Sequence, residues 1–171
     1  MAKLIKVIET TSDGKGVRLS CYFSGCSLGC KGCHNPISWD KNFGVDFGKE
    51  KQYEVISKLK SMIKPNITLT GGNPMESYEL IDFIVYLKSE IPEANIWIYS
   101  GFTFEEILEN SKMLSILRLC DVLVDGRFEI DNKDLTLAYR GSSNQRIIDV
   151  QKSLKENEII LLTLWFKFVI I

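Results

Sequence analysis

The sequence predicts an α/β fold built around a mostly parallel β-sheet. Short β-branched or apolar runs alternate with segments of helical periodicity, in the order strand, helix, strand, helix, strand, helix, strand. This alternation is typical of right-handed βαβ units. A length of 171 residues, with no internal repeat or low-complexity linker, indicates a single main domain.

Two strands are predicted at the amino end, over residues 3–8 and 17–23, joined by a glycine-containing turn at residues 12–16. The second run alternates strictly, which is typical of a strand with two different faces. One face carries Val17, Leu19, Cys21 and Phe23, and the other carries Arg18, Ser20 and Tyr22.

Three helices and three further strands follow. The spacing predicts a helix over residues 50–63, which Pro65 ends, with an apolar stripe formed by Val55, Ile56, Leu59, Met62 and Ile63. Ser77 is the candidate N-cap of a second helix that ends near Pro92, and Thr103 with Glu106 forms a capping box for a third. The strands between and after them are predicted at residues 66–70, 96–100 and 121–125.

Each predicted parallel strand is followed by a short polar or glycine-rich segment. These segments are a cysteine-rich loop after residue 23, a Gly-Gly-Asn-Pro turn at 71–74, Ser100-Gly101, and Asp125-Gly126. Because the carboxyl ends of parallel strands meet at one edge of a sheet, we expect all four segments to lie close together.

The charge balance excludes some classes of partner. The chain has 21 basic and 22 acidic residues, for a net charge of −1, so we expect neither nucleic-acid nor membrane binding. Residues 159–171 are almost entirely apolar but too short for an ordinary membrane span. They are interpreted as a terminal strand or packed tail, with an interfacial or aberrant end as the alternative.

The amino-terminal residues lack the apolar core of a secretion signal, so we expect a cytoplasmic protein with reduced thiols. The five cysteines are therefore candidate ligands or core residues. Cys21 and Cys120 lie in or beside predicted strands and are interpreted as core residues. With His34 as the only histidine, sites that need several imidazole groups are excluded.

Cys26, Cys30 and Cys33 form a C-x3-C-x2-C pattern among glycines. Three thiolates on a four-iron cluster leave one iron free to bind a substrate, whereas an electron-transfer ferredoxin normally supplies four cysteines. The alternatives are structural zinc with His34 as fourth ligand, and a set of free buried thiols. Zinc is disfavoured because Cys33 and His34 are sequence neighbours, which suits two tetrahedral ligands poorly.

This pattern after the first strands resembles the radical S-adenosylmethionine superfamily, although Gly32 stands where an aromatic residue is common. The resemblance implies one [4Fe–4S] cluster on Cys26, Cys30 and Cys33, with S-adenosylmethionine on its open iron. It implies cofactor contacts from Gly32, Cys33 and His34. The turn at 71–74 resembles the superfamily's Gly-Gly-Glu-Pro motif, which holds the methionine amino group. Gly72 and Asn73 are therefore candidate cofactor contacts, although Asn73 lacks the usual negative charge.

Residues 96–102, 121–128 and 140–146, together with Trp39, resemble the activating proteins of anaerobic ribonucleoside-triphosphate reductases. The resemblance implies a partial, open (βα) barrel of the radical S-adenosylmethionine type. It further implies a glycyl-radical domain as partner and a low-potential electron donor such as flavodoxin. It covers most of residues 1–158, the expected activase domain, and excludes the hydrophobic tail at 159–171.

Other functions remain open from sequence: activation of a different glycyl-radical enzyme, radical chemistry on a small molecule, electron transfer alone, or a zinc-stabilised interaction module. Several polar and aromatic residues near the motifs have purely structural roles as an alternative to functional ones. Trp39, Trp97 and Tyr99 are interpreted as packing or rim aromatics. Asp125 and Arg127 are either a surface pair or ligand contacts, and Arg140 and Arg146 either cap loops or contact the partner.

Overall fold

The computed structural model describes residues 1–164, which form a seven-stranded sheet and five α-helices. The strands are β1 (Lys3–Thr10), β2 (Arg18–Phe23), β3 (Val45–Asp46), β4 (Asn66–Gly71), β5 (Asn95–Tyr99), β6 (Val122–Asp125) and β7 (Arg146–Asp149). The helices are α1 (Lys49–Lys60), α2 (Leu80–Glu90), α3 (Phe104–Glu109), α4 (Ser111–Leu117) and α5 (Val150–Glu156). No helix within this part of the chain is long and apolar enough to cross a membrane.

The strand order is β3-β1-β2-β4-β5-β6-β7. The four strands from β2 to β6 in this order pair in parallel, while β3, β1 and β7 pair antiparallel at the two sides. The prediction of an α/β fold with a mostly parallel sheet is therefore confirmed for the centre of the sheet. Within residues 1–164, β3 and β7 end the strand order at opposite sides and do not pair with each other, so the sheet is open and does not close into a barrel.

The helices cover one face of the sheet and create the main core. On β2 this face carries Leu19, Cys21 and Phe23, as the alternation predicted, and all three are fully buried. Val17, predicted on the same face, precedes the strand and is exposed. Phe23 and Phe83 each make an edge-on contact with Phe47, with ring centroids 5.1 and 4.8 Å apart. Buried aromatic and aliphatic side chains of this kind supply most of the free energy that favours folding.

The opposite face contains a buried arginine. Arg18 is 1% exposed and donates to Thr68 Oγ1 at 2.7 Å, to the Ile67 carbonyl at 2.6 Å, and to the Asn95 carbonyl at 2.8 Å. Its guanidinium lies 5.1 Å from the Trp97 ring centroid. Burial lowers the pKa of Arg18 to about 10, so the side chain remains charged at neutral pH. Arg18 thus links β2, β4 and β5. Its position on the second face of the sheet is the one that the alternation of residues 17–23 predicted.

Two details of the predicted helices are wrong. The first helix ends at Lys60, so Ile63 lies beyond it and is fully exposed instead of continuing the apolar stripe. Ser77 is not an N-cap, because α2 begins at Leu80 and Ser77 instead follows the 3-10 helix Pro74–Glu76. The capping box of the third helix is confirmed: Glu106 N donates to Thr103 Oγ1 at 3.3 Å, and Thr103 N donates to the Glu106 carboxylate at 2.7 Å.

The first residues of the hydrophobic tail pack beside β7. Asp149 N donates to the Ile160 carbonyl at 2.9 Å, and Leu162 N donates to the Ile147 carbonyl at 2.8 Å. Leu162 and Leu164 also contact the apolar cluster on the second face of the sheet. The packing of residues 159–164 therefore agrees with the interpretation of 159–171 as a terminal strand or packed tail. Residues 165–171 lie outside the described part of the chain.

Candidate functional site

The four segments expected to meet at one edge of the sheet do meet there. The cysteine loop begins directly after β2, and its first residues lie against the turn after β4. Gly25 N donates to the Ser38 carbonyl at 2.8 Å, and Asn73 N donates to the Gly25 carbonyl at 2.8 Å. A Cβ atom added at Gly72 would lie 2.6 Å from the Gly25 oxygen and 2.8 Å from the Ser38 oxygen. The two loops are thus held at a distance that only glycine permits.

The same loop contacts the segments after β5 and β6. A Cβ atom at Gly101 would lie 2.2 Å from Leu28 Cδ1, and one at Gly32 would lie 2.8 Å from Ile130 Cδ1. Ser100 Oγ donates to Asn73 Oδ1 at 3.2 Å, which links the segment after β5 to the turn after β4. The cysteine loop therefore lies on a surface assembled from three neighbouring strand ends.

The five cysteines divide into two environments. Cys21 and Cys120 are fully buried in the core, and burial raises the pKa of Cys21 to about 12 and that of Cys120 above its ordinary value. Both therefore remain neutral thiols, in agreement with their interpretation as core residues. Cys26, Cys30 and Cys33 are half-buried on the rim and are not joined in disulfides.

Two of the three rim cysteines, Cys26 and Cys33, receive backbone hydrogen bonds suited to thiolates. Burial raises the pKa of Cys26, and hydrogen bonds from the Leu28 and Gly29 amides oppose that rise. Asn35 N donates to Cys33 Sγ at 3.4 Å. Amide donors of this kind stabilise negative charge on sulfur and commonly surround iron–sulfur clusters. A Cβ atom at Gly29 would meet nothing within 4 Å, so open space adjoins the middle of the loop.

In the part of the chain that the structure describes, the rim cysteines do not form a site for a single metal ion. Within residues 1–164, no three Cys, His, Asp or Glu side chains lie close enough together to hold one metal ion. In a four-iron cluster each thiolate binds a different iron, so the ligands stand farther apart than around zinc. His34 is exposed on the rim. The zinc alternative therefore gains no support from the structure.

Asn73 has an unusual environment for a polar side chain. It is 1% exposed, its oxygen accepts from Ser100, and within the described residues its amide nitrogen has no hydrogen-bond partner. An unsatisfied buried donor costs about 1–3 kcal/mol, so such groups are usually completed by a ligand or water. The side chain is therefore compatible with a contact to a polar group of a bound cofactor.

Glu76 is a rim residue that no sequence pattern indicates. This carboxylate, at the end of the 3-10 helix after β4, accepts from Ser27 N at 3.0 Å and from Ser27 Oγ. Glu76 lines a cleft of about 580 Å³ together with Cys26 and Trp39. Trp39 is 38% exposed there, as expected of a rim aromatic. A glutamate three residues after Asn73 has no distinguishing signal in the sequence, since only folding brings it to the cysteine loop.

The surface-pair interpretation of Asp125 with Arg127 is wrong. Asp125 is completely buried and pairs with Arg146, whose Nε lies 3.0 Å from Asp125 Oδ1. Arg146 also donates to both oxygens of Glu105, at 3.1 and 2.7 Å. Asp125, Arg127 and Arg146 line a second rim cleft of about 560 Å³. Asp125 therefore holds the rim together from inside, while Arg127 remains available on the surface.

The aromatic and arginine residues of the remaining motifs have structural roles. Trp97 is buried against Arg18, and Tyr99 donates its hydroxyl to the Tyr139 carbonyl at 2.7 Å. Arg140 caps its own loop, donating to the Gln145 carbonyl at 2.7 Å. These contacts agree with the packing and loop-capping interpretations.

Comparison with known proteins identifies the family. A family model described as a 4Fe–4S single cluster domain matches residues 12–148. The anaerobic ribonucleoside-triphosphate reductase-activating protein of Pasteurella multocida is 35% identical over 140 residues, which cover 79% of this chain and 89% of that protein. The proteins of the same name from Escherichia coli K12 and Enterobacteria phage T4 are each 33% identical over 138 residues, covering 78% and 79% of this chain and 88% and 85% of theirs. The chain therefore belongs to the family of anaerobic ribonucleoside-triphosphate reductase-activating proteins.

Proposed function

We propose that this protein activates an anaerobic ribonucleoside-triphosphate reductase by generating a glycyl radical on it. The observation that carries the proposal is the cysteine loop. Three half-buried cysteines lie on a rim where the ends of β2, β4, β5 and β6 converge. The names of the relatives support the choice of partner.

In this proposal Cys26, Cys30 and Cys33 hold a [4Fe–4S] cluster and leave one iron for S-adenosylmethionine. Backbone amides of the loop stabilise the thiolates. Gly32, Cys33 and His34 on one side are the proposed contacts for the cofactor. Gly72 and Asn73 on the other side complete the set.

Gly72 also fixes the position of the turn that carries these contacts. Its missing Cβ lets the turn after β4 rest on the Gly25 and Ser38 carbonyls. The buried amide of Asn73 then supplies a donor for a polar group of the cofactor, where a carboxylate would supply only acceptors.

Held by Cys26, Cys30 and Cys33 and by the contacts named above, the cluster and S-adenosylmethionine would supply one-electron reductive cleavage of a sulfur–carbon bond, and with it the radical chemistry that removes a hydrogen atom from the reductase glycine. The chain's own residues contribute binding, orientation and shelter, because the cofactors carry the reactive chemistry. Reduction requires a low-potential donor such as flavodoxin, and the reduced thiols suit a cytoplasmic location.

The open sheet suits a partner that must reach the rim. We propose that residues 1–158 form a partial (βα) barrel of the radical S-adenosylmethionine type, with the tail at 159–171 outside the activase domain. An eight-unit barrel typically needs about 250 residues, more than this chain has. The unclosed side of the sheet then leaves a route for the reductase's glycine loop.

The test uses reconstituted protein, reduced flavodoxin or dithionite, S-adenosylmethionine, and a cognate reductase deuterated at its radical-site glycine. We expect deuterium to appear in 5′-deoxyadenosine and a glycyl-radical EPR signal to appear on the reductase. Cys26→Ala should lose the cluster and both signals, whereas Cys21→Ala serves as the matched control that retains them. If the reductase does not change the rate of S-adenosylmethionine cleavage and no deuterium is transferred, the proposed partner is contradicted. A cluster that transfers electrons but leaves the cofactor intact would contradict the proposed chemistry.

A further inference from the structure

We propose that Glu76 lowers the reduction potential of the cluster and thereby acts as a positioning and tuning residue for the proposed reaction. The inference rests on the proposed cluster at Cys26, Cys30 and Cys33. It concerns a residue outside the cysteine pattern and outside the cofactor motifs. Its basis is the contact between Glu76 and Ser27, the residue that follows the first cysteine.

The backbone at Glu76 is firmly anchored. The preceding Pro74 and Met75 are buried, Met75 completely, and Glu76 N donates to the Asn73 carbonyl at 2.9 Å. The carboxylate then reaches the Ser27 amide at 3.0 Å and also accepts from the Ser27 hydroxyl. A charge held on a rigid turn by two hydrogen bonds stays in place when the cluster changes its oxidation state.

Over residues 1–164, Glu76 forms no direct ion pair with a lysine, arginine or histidine, although Lys3 and Lys41 line the same cleft. Glu79, which lines the same cleft, differs in this respect because the amino-terminal nitrogen of Met1 lies 3.1 Å from its carboxylate. The two glutamates therefore form a natural pair of test and control positions.

Two effects of Glu76 act in the same direction. Reduction adds a negative charge to a cluster, and a nearby carboxylate makes that addition less favourable. Glu76 also occupies the Ser27 amide and hydroxyl, which could otherwise donate to a sulfur atom and favour the reduced state. Both effects lower the potential, and a low potential makes the reduced cluster a stronger reductant.

The test is a redox titration of reconstituted protein followed by EPR of the reduced cluster. At a fixed solution potential, Glu76→Gln should raise the ratio of reduced to oxidised cluster about tenfold, which corresponds to about 59 mV for a one-electron couple. Glu79→Gln, at an exposed carboxylate that has no hydrogen bond to the cysteine loop among the described residues, should raise the ratio less than Glu76→Gln does. Glu76→Asp should stay closer to the wild-type protein than Glu76→Gln does.

A second variant covers the case in which Glu76→Gln fails to assemble a cluster. Ser77→Lys keeps Glu76 and its hydrogen bonds but adds a positive charge beside it on the wall of the same cleft, so it should also raise the potential. The inference is overturned if Glu76→Gln assembles the cluster and its reduction potential does not rise. If Glu76→Gln assembles no cluster, the inference is overturned when the potential of Ser77→Lys does not rise. So does an equal rise in Glu79→Gln. A wild-type protein that assembles no four-iron cluster would instead overturn the proposed function.

Discussion

Glycine is required in and around the cysteine loop for two distinct reasons. Gly25, Gly29 and Gly32 have φ angles of +98°, +56° and +76°, a backbone conformation that other residues adopt only with strain. Gly72 lacks a positive φ and is required because two carbonyl oxygens occupy the space of its Cβ. The first set shapes the loop, whereas Gly72 fixes where the loop lies relative to β4.

Gly72→Ala should therefore damage the site more than Gly29→Ala does. Alanine at 29 enters open space and costs about 1–2 kcal/mol of unfolding free energy through its positive φ. Alanine at 72 would lie 2.6 Å from a backbone oxygen, so the cysteine loop and the turn after β4 must move apart. The measurements are urea unfolding and the iron content after reconstitution. Equal iron content in both variants would show that the separation between the loops is unimportant for the cluster.

At the scale of a single element, α3 connects the rim to the sheet through its first turn. The capping box at Thr103 fixes its start, and Phe104 N donates to the buried Asp125 carboxylate at 2.8 Å. Glu105 reaches Arg146, which itself binds Asp125. The beginning of α3 is thus joined to the end of β6 and the start of β7.

The Glu105 pair predicts a pH dependence of stability. Hydrogen bonds from Arg146 lower the pKa of Glu105 to about 2, from an ordinary value of 4.5. Between these values the unfolded chain binds more protons at this site, so the stabilisation is full above pH 4.5 and disappears as pH falls towards 2. In urea unfolding of cluster-free protein, wild type should exceed Glu105→Gln in unfolding free energy at pH 6. The difference should shrink between pH 4.5 and pH 2, and a constant difference would contradict the pair's role.

The elements differ in how well the sequence predicts them. The third helix was predictable because Thr103 and Glu106 form a local signal that needs no tertiary contact. Ser77 carries a similar local signal, but the turn after β4 is held in the core by Pro74 and Met75 and delays α2 until Leu80. No clear sequence pattern marks β3, β7, α4 or α5. A strand of two residues such as β3 depends on its partner more than on its own pattern, and α4 and α5 have only seven residues each.

At the scale of the whole molecule, the parallel centre and the convergence of loops at one rim followed from the order of elements alone. The contacts that complete the rim did not, since Asp125 and Arg146 are 21 positions apart and Ser27 and Glu76 are 49 apart. Charged residues at such separations have no periodic signature, so folding alone reveals their pairing. The three cysteines stood out because their spacing is short and local.

The hydrophobic tail raises the question of where the folded unit ends. The match to the 4Fe–4S single cluster domain model ends at residue 148, yet Ile160 and Leu162 form backbone hydrogen bonds with β7. Leu161 and Leu162 can test whether this part of the tail belongs to the folded unit, because their side chains lie on different sides of it. Leu161 is 58% exposed, whereas Leu162 is half-buried against the cluster that contains Trp97 and Ile147.

If residues 159–164 belong to the fold, Leu162→Ala should lower the unfolding free energy by about 1–2 kcal/mol, less than a fully buried leucine loses. Leu161→Ala, which removes the same atoms from an exposed position, should change it by less than about 0.5 kcal/mol. Both values come from urea unfolding of the full chain, so neither variant alters its length. Equal and negligible effects would assign the boundary of the folded unit to residue 158. A cost confined to Leu162 would extend the folded unit to residues 159–164, which lie beside β7.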